Sequence, residues 1–284
     1  MDMLTLMAAP FAACLILAGI HCYLGLHVVT RGVIFVDLSL AQIAAFGSVL
    51  ALLFGYELAS PQAYVVSLLF TFIGAGIFAV SRLREKVIPQ EAIIGIVYAV
   101  FSAGAILVLD RAPHGHEALQ TMLVGSILYV NWHDVIKLFV VYAAIGVFHY
   151  IFRQKFLLIS RNVAEAKRQG IRVMLWDLLF YITFGFVVTS SVKIAGVLLV
   201  FSYLVVPATC AMLMARGTLH RLIIGWSIGF LVSVLGLFFS VKYDLPTGAS
   251  VVTCFGLALV ISAVASYFLP NKESRGRNKI TVDK

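Results

Sequence analysis

Residues 194–215 have the sequence IAGVLLVFSYLVVPATCAMLMA, a run without a single charged side chain. About 20 such residues are enough to cross the hydrocarbon of a bilayer as a helix. Similar runs recur along almost the whole chain, so the sequence predicts an all-α bundle of eight to nine transmembrane spans. The predicted spans lie near residues 7–26, 33–54, 62–81, 90–109, 135–152, 173–190, 194–215, 222–241 and 248–269.

The composition argues against a water-soluble fold. The chain has 284 residues, 62% hydrophobic and 12% charged, and its mean hydropathy is +1.02, whereas soluble domains carry about 25% charged residues. A membrane barrel would need alternating strands, and these runs are continuously apolar. We expect residues 1–270 to form one transmembrane domain and residues 271–284 a basic, disordered cytoplasmic tail.

The number of spans depends on two segments. Residues 121–130, TMLVGSILYV, are apolar but too short to cross a bilayer. We expect them to form a helix packed on the outer face. If they span instead, or if the first segment does not, the count changes by one.

Lysine and arginine residues cluster in alternate loops, and this asymmetry predicts the orientation. With the N-terminus outside, almost all of the 21 Lys and Arg residues fall on the cytoplasmic side. The four exceptions are Arg111, Lys137, Lys193 and Lys242. The sequence thus predicts an external N-terminus and a cytoplasmic C-terminus. The net charge of +8 is explained by the Lys and Arg residues of these loops and does not indicate a nucleic-acid partner.

Motifs for enzymatic chemistry are missing from the sequence. There is no GxxxxGK[ST] phosphate loop, so the chain is not expected to hydrolyse ATP itself. HExxH, GxSxG and clustered acids within the spans are also absent. The four cysteines lie in apolar runs without a CxxC spacing, which favours buried side chains. We therefore expect no enzyme activity and no permanently bound cofactor.

Two carboxylates lie at the cytoplasmic beginnings of predicted spans. Asp37 starts the second span, followed by Ser39 and Gln42, and Glu91 starts the fourth. Ionisable groups inside a membrane are candidates for function, and oxygen ligands suit divalent cations. The alternative is that each acid only stabilises the start of its helix. Because Asp37 and Gln42 are about 140° apart around a helix, they do not share one face.

Three potential metal donors occur in an outer loop, PHGHE. They are His114, His116 and Glu117. Such a short pattern also fits solvated surface, and both interpretations remain open. His21, His27 and His149 are expected to be packed or interfacial histidines rather than ligands.

Two segments on the predicted cytoplasmic side could meet a soluble partner. Residues 161–173, RNVAEAKRQGIRV, have helical character and could dock a protein or adhere to anionic lipid. Residues 205–222, VVPATCAMLMARGTLHRL, carry Pro207 and then a run ending at Arg216 and Gly217. This pattern predicts a helix that turns parallel to the membrane surface after the proline.

Several motifs in order resemble the zinc and manganese permease family of bacterial ATP-binding-cassette importers over nearly the full length. These motifs are RGVIFVDLSLAQIAAFG (31–47), EAIIGIVYAVFSAGAILVL (91–109), MLVGSILYVNWHD (122–134), AEAKRQGI (164–171), KIAGVLLVFSYLVVPATCAML (193–213) and YDLPTGASVV (243–252). Each motif is degenerate alone, and their shared order is what makes the match specific.

The resemblance implies a permease with the fold of a type II importer, in the cytoplasmic membrane of a bacterium. It implies a homodimer enclosing the pathway, a cytoplasmic cassette ATPase, and an external solute-binding protein that delivers zinc, manganese or iron. It also implies that the helix after Pro207 couples to the ATPase. The coupling residues would be Pro207, Arg216, Gly217, His220 and Arg221.

One departure from the family concerns the second span. The family usually has GDALSH there, and the ungapped match places Asp37 on its Gly, Leu38 on its Asp and Gln42 on its His. An amide is a weaker donor for zinc than imidazole. Glu91 matches an acidic position of the family. The departure therefore affects the identity of the ion more than the prediction of transport.

Two other functions remain open from the sequence. The same architecture could import a metal chelate or a cobalamin-like ligand. An ion-coupled secondary carrier is a third candidate, which would be expected to carry acids at the membrane midplane in both halves, and none is visible.

Overall fold

The computed structural model describes residues 3–58, 60–82, 88–110, 125 and 127–268. Within these ranges the chain forms eleven helices and no strand. The helices are α1 (Met3–Arg31), α2 (Val36–Leu53), α3 (Pro61–Ser81), α4 (Gln90–Leu109), α5 (Trp132–Ile151), α6 (Arg153–Arg161), α7 (Val163–Arg168), α8 (Val173–Ala195), α9 (Val197–Met214), α10 (Thr218–Tyr243) and α11 (Thr247–Phe268).

Nine of these helices in the described ranges are long and apolar enough to cross a membrane, and each coincides with a predicted span. The all-α bundle is therefore confirmed. The two short helices, α6 and α7, separate α5 from α8. Most of the predicted outer helix at 121–130 lies outside the described residues, and so does the tail at 271–284. A short 3-10 turn occupies Ile127–Tyr129, with Ile127 buried.

One predicted boundary is wrong. The break expected at residues 191–193 is helical, and α8 continues to Ala195. Ser190 and Ser191 donate their hydroxyls to the carbonyls of Phe186 and Val187 one turn earlier, so their polar atoms are satisfied within the helix. The break comes at Gly196, whose φ of 78° lets the chain turn directly into α9.

Helix α1 lies at the centre of one half of the bundle. It packs on α9 and α10, and α11 packs on the same two helices. In the other half, α2 packs between α3 and α4, and α8 packs on α3. Gly25 allows the close contact of α1 with α9, since a Cβ at this position would collide with the carbonyl of Leu204.

The structure differs from the sequence prediction at Pro207. This residue is buried inside α9, and the helix continues past it to Met214. No surface helix follows the proline, because a three-residue turn (215–217) leads directly into α10. The cysteine and alanine side chains after Pro207 are apolar, and Ala208, Cys210 and Ala211 are buried in the bundle.

The arginine-rich end of the bundle is called the basic end here. It comprises residues 31–35, 82 and 88–89, helices α6 and α7, and the turn at 215–217. The other ends of the nine long helices form the opposite end, which includes Glu57 and Lys137.

Replacing Gly25 by alanine should lower the thermal unfolding midpoint of the purified protein. The added methyl group would force α1 away from α9, and such overpacking costs about 1–3 kcal/mol. The control is Gly76→Ala in α3, where a Cβ meets no atom within 4 Å. Both changes carry the same gain in helix propensity, so equal midpoints for the two variants would refute the close contact.

Candidate functional site

The two predicted pathway acids lie in the first turns of neighbouring helices at the basic end. Asp37 belongs to α2 and Glu91 to α4. Glu91 Oε1 accepts the backbone N–H of Phe35, immediately before α2, at 3.0 Å. One carboxylate therefore joins the beginnings of both helices. Neither helix has a side-chain hydrogen bond from its own N-cap residue.

Both acids keep an oxygen without a hydrogen-bond partner. Asp37 is 1% exposed, and its Oδ1 is buried and unpaired. Glu91 Oε2 and the Ser39 hydroxyl are also buried and unpaired. Buried polar atoms are normally satisfied, because an unpaired one costs about 1–3 kcal/mol. Three such oxygens in the first turns of adjacent helices are therefore suited to an exogenous cation.

Gln42 is buried in α2, five residues after Asp37. At 3.6 residues per turn its side chain leaves the helix in a direction about 140° from that of Asp37. Within the described part of the chain, no group of three or more His, Cys, Asp or Glu residues could hold a metal ion. The acids therefore form a pair rather than a cluster.

The other predicted residues fall into two groups. His114, His116 and Glu117 lie outside the described residues. Arg216 and Gly217 belong to the turn between α9 and α10, and His220 is exposed in the first turn of α10. Arg221 donates from Nε to the carbonyl of Ala215 at 3.0 Å, which fixes the same turn.

A buried ion network at the basic end was missed by the sequence reasoning. Asp177 in α8 is fully buried, and its Oδ1 accepts from Nη1 of Arg31 at 2.8 Å and from Nη1 of Arg82 at 2.9 Å. Arg31 also stacks on the ring of Phe180, with 4.0 Å from its Cζ to the ring centre. The available signal was Asp177 itself, an acid inside a predicted span.

The network continues into the surface helix α6. Arg31 Nε donates to the Ser160 hydroxyl at 2.9 Å, and His27 Nδ1 lies 2.8 Å from the same oxygen. Arg82 Nη2 donates to the carbonyl of Ile159 at 3.3 Å. Helix α6 is thus bonded to α1 and to the end of α3.

The two remaining span histidines have partners inside the bundle. His21 Nδ1 donates to the Leu17 carbonyl at 2.9 Å. His149 Nε2 lies 2.8 Å from the Thr183 hydroxyl, and its ring stacks on Phe156. Both are packed side chains, as the sequence reasoning expected.

Known proteins are similar to this chain in sequence. The sequence model of the family described as the ABC 3 transport family matches residues 3–266. The chain is 25% identical over 212 residues to the manganese transport system membrane protein MntC of Listeria monocytogenes, covering 71% of this chain and 73% of that protein. It is 24% identical over 268 residues to a probable iron transport system membrane protein of Haemophilus influenzae, covering 93% and 90%.

Two solved structures have a similar fold. One is PsaBC from Streptococcus pneumoniae in complex with Fab, with a TM-score of 0.75 at 23% identity, covering 96% of this chain and 95% of that one. The other is an inward-facing conformation of a putative metal-chelate type ABC transporter, with a TM-score of 0.68 at 20% identity, covering 91% and 85%. At these identities the similarity establishes the fold.

Replacing Asp177 by asparagine should strongly destabilise the protein in detergent. It would leave two buried guanidinium groups facing each other, and removing one partner of a buried ion pair costs about 3–5 kcal/mol. The unfolding free energy can be measured with a denaturant. The control is Glu165→Gln, which breaks the exposed pair with Arg168 and should cost less than about 1 kcal/mol. Similar losses in both variants would contradict the assigned role of Asp177.

Proposed function

We propose that this chain, which belongs to the ABC 3 transport family, is the membrane permease subunit of an ATP-driven importer of divalent metal ions. The observation that carries the proposal is a pair of carboxylates, the buried Asp37 and the partly buried Glu91, each with one buried oxygen that has no hydrogen-bond partner. They lie at the starts of adjacent membrane helices, where a passing cation would meet both. Their role is to hold the ion transiently at one end of its path.

Manganese is the cargo that this site fits best. Carboxylate and neutral oxygen donors suit Mn²⁺, whereas zinc sites favour imidazole and thiolate. Gln42 occupies the position at which the resembling family usually has a histidine. Relatives of this chain carry names of manganese and iron transport proteins, which agrees with an ion bound through oxygen. A chelate of the metal would not need two unpaired acids.

A second copy of the chain completes the pathway in this proposal. Helix α4 carries Glu91, yet only 17% of the residues in its most apolar stretch are buried, the lowest share among the nine long helices of the described ranges. Ile96, Val100 and Leu107 are exposed along it. A homodimer that packs through α4 would enclose the acid pair between two copies.

The basic end is cytoplasmic in this proposal, following the positive-inside rule. A cassette ATPase would dock there, and a solute-binding protein would deliver the ion at the opposite end. Helix α7 is the candidate contact because Lys167 and Arg168 are exposed on it. Arg216 and Gly217 in the turn before α10, and His220 in the first turn of that helix, lie at the same end of the bundle. Pro207 is buried, so its contribution is to the shape of α9.

Replacing Asp37 by asparagine, or Glu91 by glutamine, should lower manganese uptake at least about tenfold, since weakening a metal site by one interaction commonly costs about 10–100-fold. Uptake is measured as cell-associated manganese in a bacterial host that also expresses the ATPase and the binding protein. Glu57→Gln, an exposed acid at the opposite end, is the control. Unchanged uptake in both variants, with normal membrane levels, would remove these acids from the pathway.

Replacing both Lys167 and Arg168 by glutamate, which reverses their charges, should weaken binding of the ATPase. The measurement is the amount of ATPase that co-purifies with the tagged permease, and we expect a several-fold loss, since opposed like charges at an interface are unfavourable. The matched control reverses Lys137 and Lys242 near the opposite end.

Complete retention of the ATPase would contradict docking at α7.

The assigned orientation can be tested by cysteine labelling, because all four native cysteines are buried. A cysteine introduced at Gln169 should react with an impermeant maleimide only after the cells are opened, and labelling of intact cells would show the orientation to be wrong.

A further inference from the structure

A long apolar groove runs along the outside of the bundle between α1, α5 and α10. Its volume is about 720 Å³, and Gly19, Gly146 and Trp226 are among the residues that line it. Along α5 it extends from Phe139 to Tyr150, which is about 16 Å at 1.5 Å per residue. That length is close to half of a hydrocarbon core about 30 Å thick. The groove therefore spans one leaflet.

Polar atoms in the groove wall are already hydrogen-bonded within the protein. The Trp226 indole N–H donates to the Gly19 carbonyl at 3.0 Å. The Tyr142 hydroxyl donates to the Val187 carbonyl at 3.1 Å. The Tyr23 hydroxyl lies 3.3 Å from His149 Nδ1. An occupant of this groove would therefore meet an apolar surface.

At the basic end the groove meets a small pocket of about 130 Å³ that polar and apolar side chains line together. The groove and the pocket share Tyr23, Leu157 and Thr218 in their walls. The three arginines at this junction are Arg153, which lines the groove, and Arg161 and Arg221, which line the pocket.

None of these three arginines forms an ion pair with any residue that the structure describes. Arg31, Arg82 and Arg168 each do. Arg161 Nη2 donates to the Thr218 hydroxyl, and Arg153 stacks on Tyr150, with 4.3 Å from its Cζ to the ring centre. Among the residues that the structure describes, the junction thus holds three positive charges without a partner acid, at the end of the apolar groove.

We infer that this groove binds one anionic phospholipid, with an acyl chain along α5 and the phosphate at Arg153 and Arg161. The apolar wall matches the chain, its length matches one leaflet, and the unpaired arginines match the phosphate. Basic pockets between membrane helices bind lipid head groups in this way. The inference depends on the membrane location of the helices and not on the cargo or the ATPase.

Native mass spectrometry of the full chain in mild detergent can count bound lipids. The probes are phosphatidylglycerol and phosphatidylcholine with identical chains, and glycerol phosphate as a head group without a tail. Phosphatidylglycerol should bind the unchanged protein more tightly than phosphatidylcholine. Arg153→Gln should weaken phosphatidylglycerol about fivefold, from about 1 kcal/mol per cationic residue, without changing phosphatidylcholine. Lys242→Gln, at the opposite end, should change neither.

A second variant tests the apolar groove without changing the arginines. Gly146→Leu would place its side chain in the groove, since a Cβ there meets no protein atom within 4 Å, and it should lower retention of both lipids at least tenfold. Gly256→Leu in α11, also open to space, is the control and should lower neither.

Three results would overturn the inference. Equal retention of phosphatidylglycerol and phosphatidylcholine would show that the arginines do not recognise the anionic head group. If glycerol phosphate displaced bound lipid as effectively as phosphatidylglycerol does, the arginines would be assigned to a free phosphate. Loss of self-association in Gly146→Leu would make the groove an interface between copies.

Discussion

The basic end of the bundle depends on the ion pairs that the Asp177 carboxylate forms with Arg31 and Arg82. This carboxylate lies within a membrane helix, where an isolated charge costs at least a few kcal/mol. Its Oδ1 accepts from both Arg31 and Arg82, so one acid ties α8 to α1 and to the end of α3. Arg31 alone could not remain buried at 1% exposure without this partner. One oxygen atom thus links residues of α8 and α1 with the residue that follows α3.

Asp37 and Glu91 differ from Asp177, whose Oδ2 is also unpaired, because neither forms an ion pair with a residue that the structure describes. Most polar side chains inside this bundle are paired, as with Tyr203 and Ser233 at 2.6 Å, yet each of these two acids leaves an oxygen unsatisfied. Such local violations are expected where a protein must bind something else. The two acids also do not stabilise the fold through an ion pair within the described chain. Their position costs stability, and a bound cation would restore it.

The sequence predicted the nine spans because long apolar runs have one solution in lipid. It did not predict the extent of α8, since the polar residues 191–193 interrupt the apolar run, and only the structure shows the Ser191 hydroxyl bonded within the helix. Its expectation of a surface helix after Pro207 was wrong, because apolar residues continue α9 past the proline to Met214. The partners of Asp177 are far apart in sequence. Pairwise contacts across more than 90 residues leave no local pattern.

Hydrogen bonds and short helix segments connect the surface helix α6 with Glu91. Ile159 and Ser160 in α6 bond Arg82 and Arg31, which meet at Asp177. Four residues further along α8, the Tyr181 hydroxyl accepts from Gln90, which also donates to the Phe78 carbonyl of α3. Gln90 directly precedes Glu91. A displacement of α6 must therefore break these bonds or move α3, α4 and α8 with it. The same contacts therefore tie the position of Glu91 to that of α6 in this structure.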